Sequence, residues 1–409
     1  MIKTNQFKTI TIRVAFHSPI KKEDITKRTV LSDILLQSSK KYSSKRNMII
    51  EAENLYAADI YNNTQRLGNY MMTSFILQVL NDKYTEKGNF AKALEFLSSI
   101  IFEPDEKNGS FQEDKLSIVK KNCEDAISTI KEDPVDYAFI RLKEAYDKEN
   151  PVSYRMVGYK EDLGKIKGKN LYEYYQKMIE NDFVDIYIVG DFEEENIMML
   201  IKKYFKFRKI KRKRVPYEIE NKPPRKRRLI AKEKMDATQS KIAIACPISK
   251  CKPYEKNYPL VLGNIILGGG VDSKLFKEIR EKKSLCYTIF SGCSRLDNMM
   301  LISAGIDRTN FEKTVDLTTK ILEKMKKGKF SEKDIKVAKE YYNTAITSIE
   351  ESPMSLMREI ILEEITGIEP YQERKQIMNK VTKKEIVRAM KKVNMDTIFL
   401  LEGEADESN

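Results

Sequence analysis

At 409 residues the chain exceeds one ordinary hydrophobic core, and roughly two to four domains fit its length. Its 41% hydrophobic and 33% charged residues suit a globular protein, and no apolar run nears the roughly 18 residues that span a bilayer, which argues against a membrane partner. The net charge of +13 raises a nucleic-acid partner, but fourteen Lys or Arg against three Glu fall between Lys206 and Lys234, beside Pro216, Pro223 and Pro224. A proline-broken charged stretch without an aromatic-basic reader strand reads as a linker and argues against nucleic acid.

Met1 to Phe16 lacks the apolar block of a signal peptide, and five cysteines, an odd number, fit free thiols in a reducing compartment. Cytoplasm is the expected location. Thr9 to Phe16 points Ile10, Ile12, Val14 and Phe16 to one side, as a half-buried strand does. A turn at Pro19 leads to a helix over Lys27 to Ser38, with Val30, Leu31, Ile34 and Leu35 on one face. Leu116, Val119, Cys123, Ala126, Ile127 and Ile130 recur at helical spacing until Asp133-Pro134 breaks the helix.

Past the basic linker, 215–227, Ser240 to Cys246 is again a strand and Val261 to Leu267 an apolar helix. Gly268, Gly269 and Gly270 end that helix. A second helix follows, with Leu275, Phe276 and Ile279 on one face, and Leu285 to Phe290 has strand composition.

Four segments of the first half recur in the same order in the second. Val30 to Leu36 pairs with Val261 to Leu267, and Arg66 to Met71 with Arg295 to Met300. Ala126 to Pro134 pairs with Ala345 to Pro353, and Asp185 to Asp191 with Asp396 to Glu402, at a steadily shrinking offset. A tandem duplication accounts for this, with domains at 1–214 and 228–409. Each copy reads as an α+β domain, helices packed on a mostly antiparallel sheet.

Ser273-Lys-Leu275-Phe276, Arg280-Glu281 and Tyr287, seven residues after the Arg, resemble a second-domain segment of the insulinase/pitrilysin metallopeptidase family. Cys286 stands where a small residue is usual there. Ala126 to Pro134, Tyr137-Ala138, Gly158 to Leu163 and Tyr187 to Asp191 further resemble a Firmicutes group of inactive peptidase-like subunits associated with elongation factor P modification. The resemblance implies two homologous domains facing one another as half a clamshell. It also implies that Arg280 and Tyr287 reach a partner's active site and donate hydrogen bonds to a peptide and its developing oxyanion. Gly268 to Gly270 become a peptide-contacting loop on the same grounds. By residue type alone, a helix Arg is solvated, a strand Tyr is core, and three glycines are a helix break.

Active members carry His-x-x-Glu-His on the first helix and a further Glu on a later one, since zinc needs three ligands, an open position and a base. This chain has one histidine, so the motif is impossible. The first helix offers Leu31-Ser-Asp-Ile-Leu35, with Asp33 its one candidate ligand. The later Glu position falls near Ala126, with Glu124 close by. His17, before Ser18-Pro19, reads as a surface-loop histidine without a nucleophile motif. Cys246, Cys251, Cys286 and Cys293 lack zinc-pair spacing and read as ordinary thiols. The expectation is a protein with no metal and no cofactor, an inactive subunit that pairs with a zinc-bearing sibling and binds peptide. A non-enzymatic peptide-binding scaffold is the alternative.

Overall fold

The structure is a computed structural model and describes residues 1–207 and 213–404; residues 208–212 of the basic run lie outside them. The chain forms two compact units that are not contiguous halves. One holds Met1–Thr129, Arg155–Pro216 and Glu350–Arg358; the other holds Ile130–Tyr154, Tyr217–Ile349 and the chain from Glu359 on. The expected cut between 214 and 228 therefore misses two exchanged segments. Among the described residues no helix is long and apolar enough to cross a membrane.

The first unit is built on strands β1 (Ile2–Lys3), β2 (Thr9–Pro19), β3 (Asp59–Leu67) and β4 (Tyr70–Leu80), with a small hairpin of β5 (Glu106–Lys107) and β6 (Ser110–Phe111), and on β7 (Phe183–Gly190). The main sheet runs β1-β7-β2-β4-β3, antiparallel except where β1 meets β7. One face is covered by α1 (Lys22–Leu35), α2 (Lys45–Asn54), α3 (Asn89–Phe102) and α4 (Glu113–Ser128). The packing continues with helices α7 (Gly168–Asn181) and α8 (Glu194–Tyr204). Strand alternation puts Ile10, Ile12, Val14 and Phe16 into this core, with Val30, Leu31, Ile34 and Leu35 of α1 opposite them. Arg28 is buried and paired with buried Asp182, while its Nε donates to Thr73 Oγ1 at 2.8 Å. Breaking a buried pair of this kind costs about 3–5 kcal/mol, because one charge is left without its partner.

Helix α5 (Pro134–Asp147) belongs to the second unit, whereas α6 (Lys160–Leu163) belongs to the first. Asp133 caps α5, its carboxylate accepting from the N–H groups of Val135 and Asp136 at 2.9 and 3.0 Å, and Pro134 takes the first helical position. The second sheet holds β8 (Leu229–Met235), β9 (Ser240–Pro247), β10 (Thr288–Ser294), β11 (Met299–Ile306) and β12 (Thr397–Gly403). Its order is β10-β11-β9-β12-β8, antiparallel except for β8 beside β12. Reversed, this is the strand order of the first sheet.

The helices of this unit are α9 (Pro253–Asn257), α10 (Pro259–Gly268), α11 (Phe311–Lys326) and α12 (Glu332–Thr347). Three more follow: α13 (Pro353–Thr366), whose first residues count with the first unit, α14 (Tyr371–Lys380) and α15 (Lys383–Met390). Ile242, Ile244, Ile398 and Leu400 face a core shared with α10, α11, α12, α14 and α15. Ala243, Ala245, Phe399 and Leu401 face the other way and are covered by Tyr137, Ala138, Leu142 and Tyr146 of α5.

Several expected boundaries move. The first helix starts at Lys22, and the strand expected from Leu285 starts at Thr288. The helix before that strand is a π-turn, Phe276–Glu281. The basic linker is no loose tether. Ile219 is buried beneath α5, Asn221 donates to the carbonyls of Asp297 and Asn298, and Arg225 pairs with Asp396. His17 is no surface-loop histidine either, because β2 stays paired with β4 as far as Pro19 and buries it completely.

Burial, reinforced by Arg214, Arg13 and Arg28, lowers the His17 pKa to about 3, although its Nε2 lies 3.3 Å from Asp185 Oδ2. The unfolded chain takes up this proton below about pH 6.5 and the folded chain does not, so stability falls as pH drops. Equilibrium unfolding should show a loss approaching 1.4 kcal/mol per pH unit between about pH 6 and pH 3 from this group. His17→Gln should remove that component, as urea titrations at pH 7 and pH 5 would reveal. A fragment of residues 217–409 lacks α5 and should bind a hydrophobic dye and melt without cooperativity. Adding the 130–154 peptide should restore a sharp melt, since burying Leu142 alone contributes on the order of 1.5–3 kcal/mol.

Candidate functional site

Helix α1 carries Leu31 to Leu35 across the inner face of the first sheet, and these residues leave no metal centre. Leu31, Ile34 and Leu35 are core. Asp33 points its Oδ1 to Asn62 Nδ2 of β3 at 2.8 Å. Burial raises the Asp33 pKa, while the Asn62 hydrogen bond and Lys45 oppose the rise. Ser32 accepts from Thr64 at 3.4 Å, Thr64 lies 3.0 Å from Thr73, and Thr73 accepts from Arg28. A relay of neutral hydroxyls thus runs from the buried guanidinium to the helix.

The α4 residue with its charge coupled to Asp33 is Cys123, not Ala126. Ala126 is exposed, and Glu124 is held by Lys160 at 3.0 Å. Cys123 is buried, its Sγ lies 3.4 Å from the Val157 carbonyl, and burial aided by Asp33 pushes its thiol up to about 11. One thiol and one carboxylate beside a neutral amide fall short of the three His, Cys or carboxylate ligands that a catalytic zinc takes. Among the described residues no group of three or more His, Cys, Asp or Glu is placed to hold a metal. The core stripe Leu116, Val119, Cys123 held the signal that Cys123, rather than Ala126, turns inward.

In the second unit, Arg280 closes the π-turn with its guanidinium 4.6 Å from the Phe276 ring centre, and it is exposed. Tyr287 is 44% exposed rather than core, its hydroxyl donates to Asp307 Oδ1 at 3.0 Å, and its N–H bonds the Gly305 carbonyl. Arg280 therefore offers donors to solvent, while the single hydroxyl proton of Tyr287 lies on Asp307. Between them Cys286 is buried, its thiol pushed up to about 11 by burial against the opposing pull of Arg280. Gly268 is buried where α10 meets β10, and a Cβ there would lie 2.8 Å from the Ser291 backbone nitrogen. Gly269 follows as the helix cap and Gly270 is exposed. Of the three glycines, Gly268 answers to packing. All five cysteines are free thiols.

A family model described as the peptidase M16 inactive domain matches residues 165–342. The chain is 27% identical over 407 residues to a probable inactive metalloprotease, YmfF, of Bacillus subtilis, covering 98% of this chain and 95% of that one. It is 24% identical over 274 residues to an uncharacterized zinc protease, YmxG, of the same organism, covering 66% and 64% of the two chains. The crystal structure of a conserved protein from Enterococcus faecalis superposes with a TM-score of 0.90 at 28% identity, covering 100% of this chain and 96% of that one. The chain is thus similar to the M16 peptidases, the insulinase/pitrilysin-like family, and within them to proteins described as inactive.

Proposed function

We propose that the chain is the inactive half of a two-subunit peptidase, pairing with a zinc-bearing sibling and helping to hold peptide while the sibling cuts. One observation carries this reading: the fold keeps both sheets, with Arg280 and Tyr287 exposed, while hydrogen-bonded side chains among core residues stand where the family places its metal motif. The presence in one organism of an inactive metalloprotease relative and a zinc protease relative also supports a pair. The matching strand orders support the tandem repeat read from the sequence. Five free thiols suit the cytoplasm as the place of assembly.

Co-purification from the native host should recover a peptidase-like partner of similar mass. A sibling-free preparation that cleaves peptide in a chelator-sensitive way would end the proposal. Dialysed against zinc, the purified chain should retain no stoichiometric metal by elemental analysis.

In the reconstituted pair, Tyr287→Phe should leave complex formation intact and lower turnover. Removing one oxyanion donor costs about 2.7–4 kcal/mol, about a hundred- to a thousandfold in kcat. Arg280→Ala should weaken peptide binding as well, because it deletes a charge. Size exclusion checks the complex and a steady-state assay reads turnover. Unchanged turnover in both variants would leave them as surface residues.

A further inference from the structure

Strand β8 ends the second sheet on the side away from β10, so it carries a row of backbone N–H and C=O groups with no strand beside them among the described residues. Its two faces differ. Ala231, Glu233 and Met235 turn toward α5, where Glu233 binds Arg141 and Tyr137. Arg228, Ile230, Lys232 and Lys234 alternate onto the other face and are all exposed, with Ile230 at 52%. Arg228 donates to Thr319, Lys232 lies over the Phe311 ring, and Lys234 reaches Glu404 across exposed surface. Lys226 and Arg227, in the bend just before, add two exposed cations.

We infer that β8 is a docking edge for an extended acidic segment of a partner polypeptide, which adds to the sheet as a further strand. Its side chains on the stripe face would read acid, apolar, acid, acid at alternate positions, opposite Arg228, Ile230, Lys232 and Lys234. Lysines on an open edge repel another copy of the same edge, and the same charges select a strand of opposite sign. Two observations favour a polypeptide over nucleic acid. The unpaired backbone groups match a strand, and no Phe or Tyr lies between Glu218 and Cys246 to stack on bases. The inference is independent of the proposed peptidase pairing, which concerns residues near β10.

The probes are a fluorescein-labelled heptapeptide, Glu-Thr-Val-Thr-Glu-Thr-Glu, and its reversed sequence, measured by anisotropy with the full chain. At least one should bind, more weakly as salt rises, and the Lys-for-Glu version should not. A form N-methylated at alternate residues should lose binding, because it keeps the charge and cannot pair its backbone. The double variant Lys232→Glu, Lys234→Glu, shown to be folded by circular dichroism, should bind at least about fivefold more weakly, the scale of two exposed ion pairs turned to repulsion. Equal binding of the N-methylated form would overturn strand addition, as would no binding of either peptide. An oligo-uridylate RNA that binds more tightly than the peptides, and is lost in the same variant, would instead assign the edge to nucleic acid.

Discussion

Helix α5 lies on the back of the second sheet because that sheet is apolar on both faces. Alternation along β9 and β12 sends Ile242, Ile244, Ile398 and Leu400 one way and Ala243, Ala245, Phe399 and Leu401 the other. The small residues of β9 let a helix approach closely, and Tyr137, Ala138, Leu142 and Tyr146 fill the space. Ile219 completes this layer, so the segment after the basic run is anchored by the same packing. Arg225 then joins the segment to Asp396 at the start of β12 and to the Tyr146 carbonyl. Sheet, helix and connecting segment hold one another.

The lost metal centre has been replaced by packing. A partly buried carboxylate is costly, and Asp33 persists by accepting from Asn62 with Lys45 near it, although burial still raises its pKa, beside a thiol that burial pushes up. The hydroxyls of Ser32, Thr64 and Thr73 satisfy one another in a space where charged ligands would otherwise stand. No single substitution rebuilds three ligands and a base in such a site.

Much of this was legible in the residues. One histidine settled the absence of a two-histidine motif, and Asp133-Pro134 marked the break after which α5 begins. Ser240 to Cys246 read as a strand and is β9, and the repeat segment Asp396 to Glu402 falls on β12. Other features depend on distant partners. Ser18-Pro19 has the composition of a turn, yet the β4 ladder holds it in a strand and buries His17. Ser284 takes a left-handed φ of 51°, and the N–H of Leu285 bonds the Ile279 carbonyl, so a turn delays the strand to Thr288. Nothing local in Pro134 to Asp147 states that its apolar face belongs to strands written more than a hundred residues later.

The position of α5 also sets a timetable. Its resting place is completed by β12, Thr397–Gly403, which leaves the ribosome about 250 residues after α5. At about 5–20 residues per second, the tyrosines and leucine of α5 wait uncovered for on the order of ten to fifty seconds after they emerge. Through that interval the nascent chain carries an amphipathic helix with no surface to lie on, which is the kind of exposed segment that chaperones hold. The second unit can close only once β12 has emerged, about 250 residues after α5.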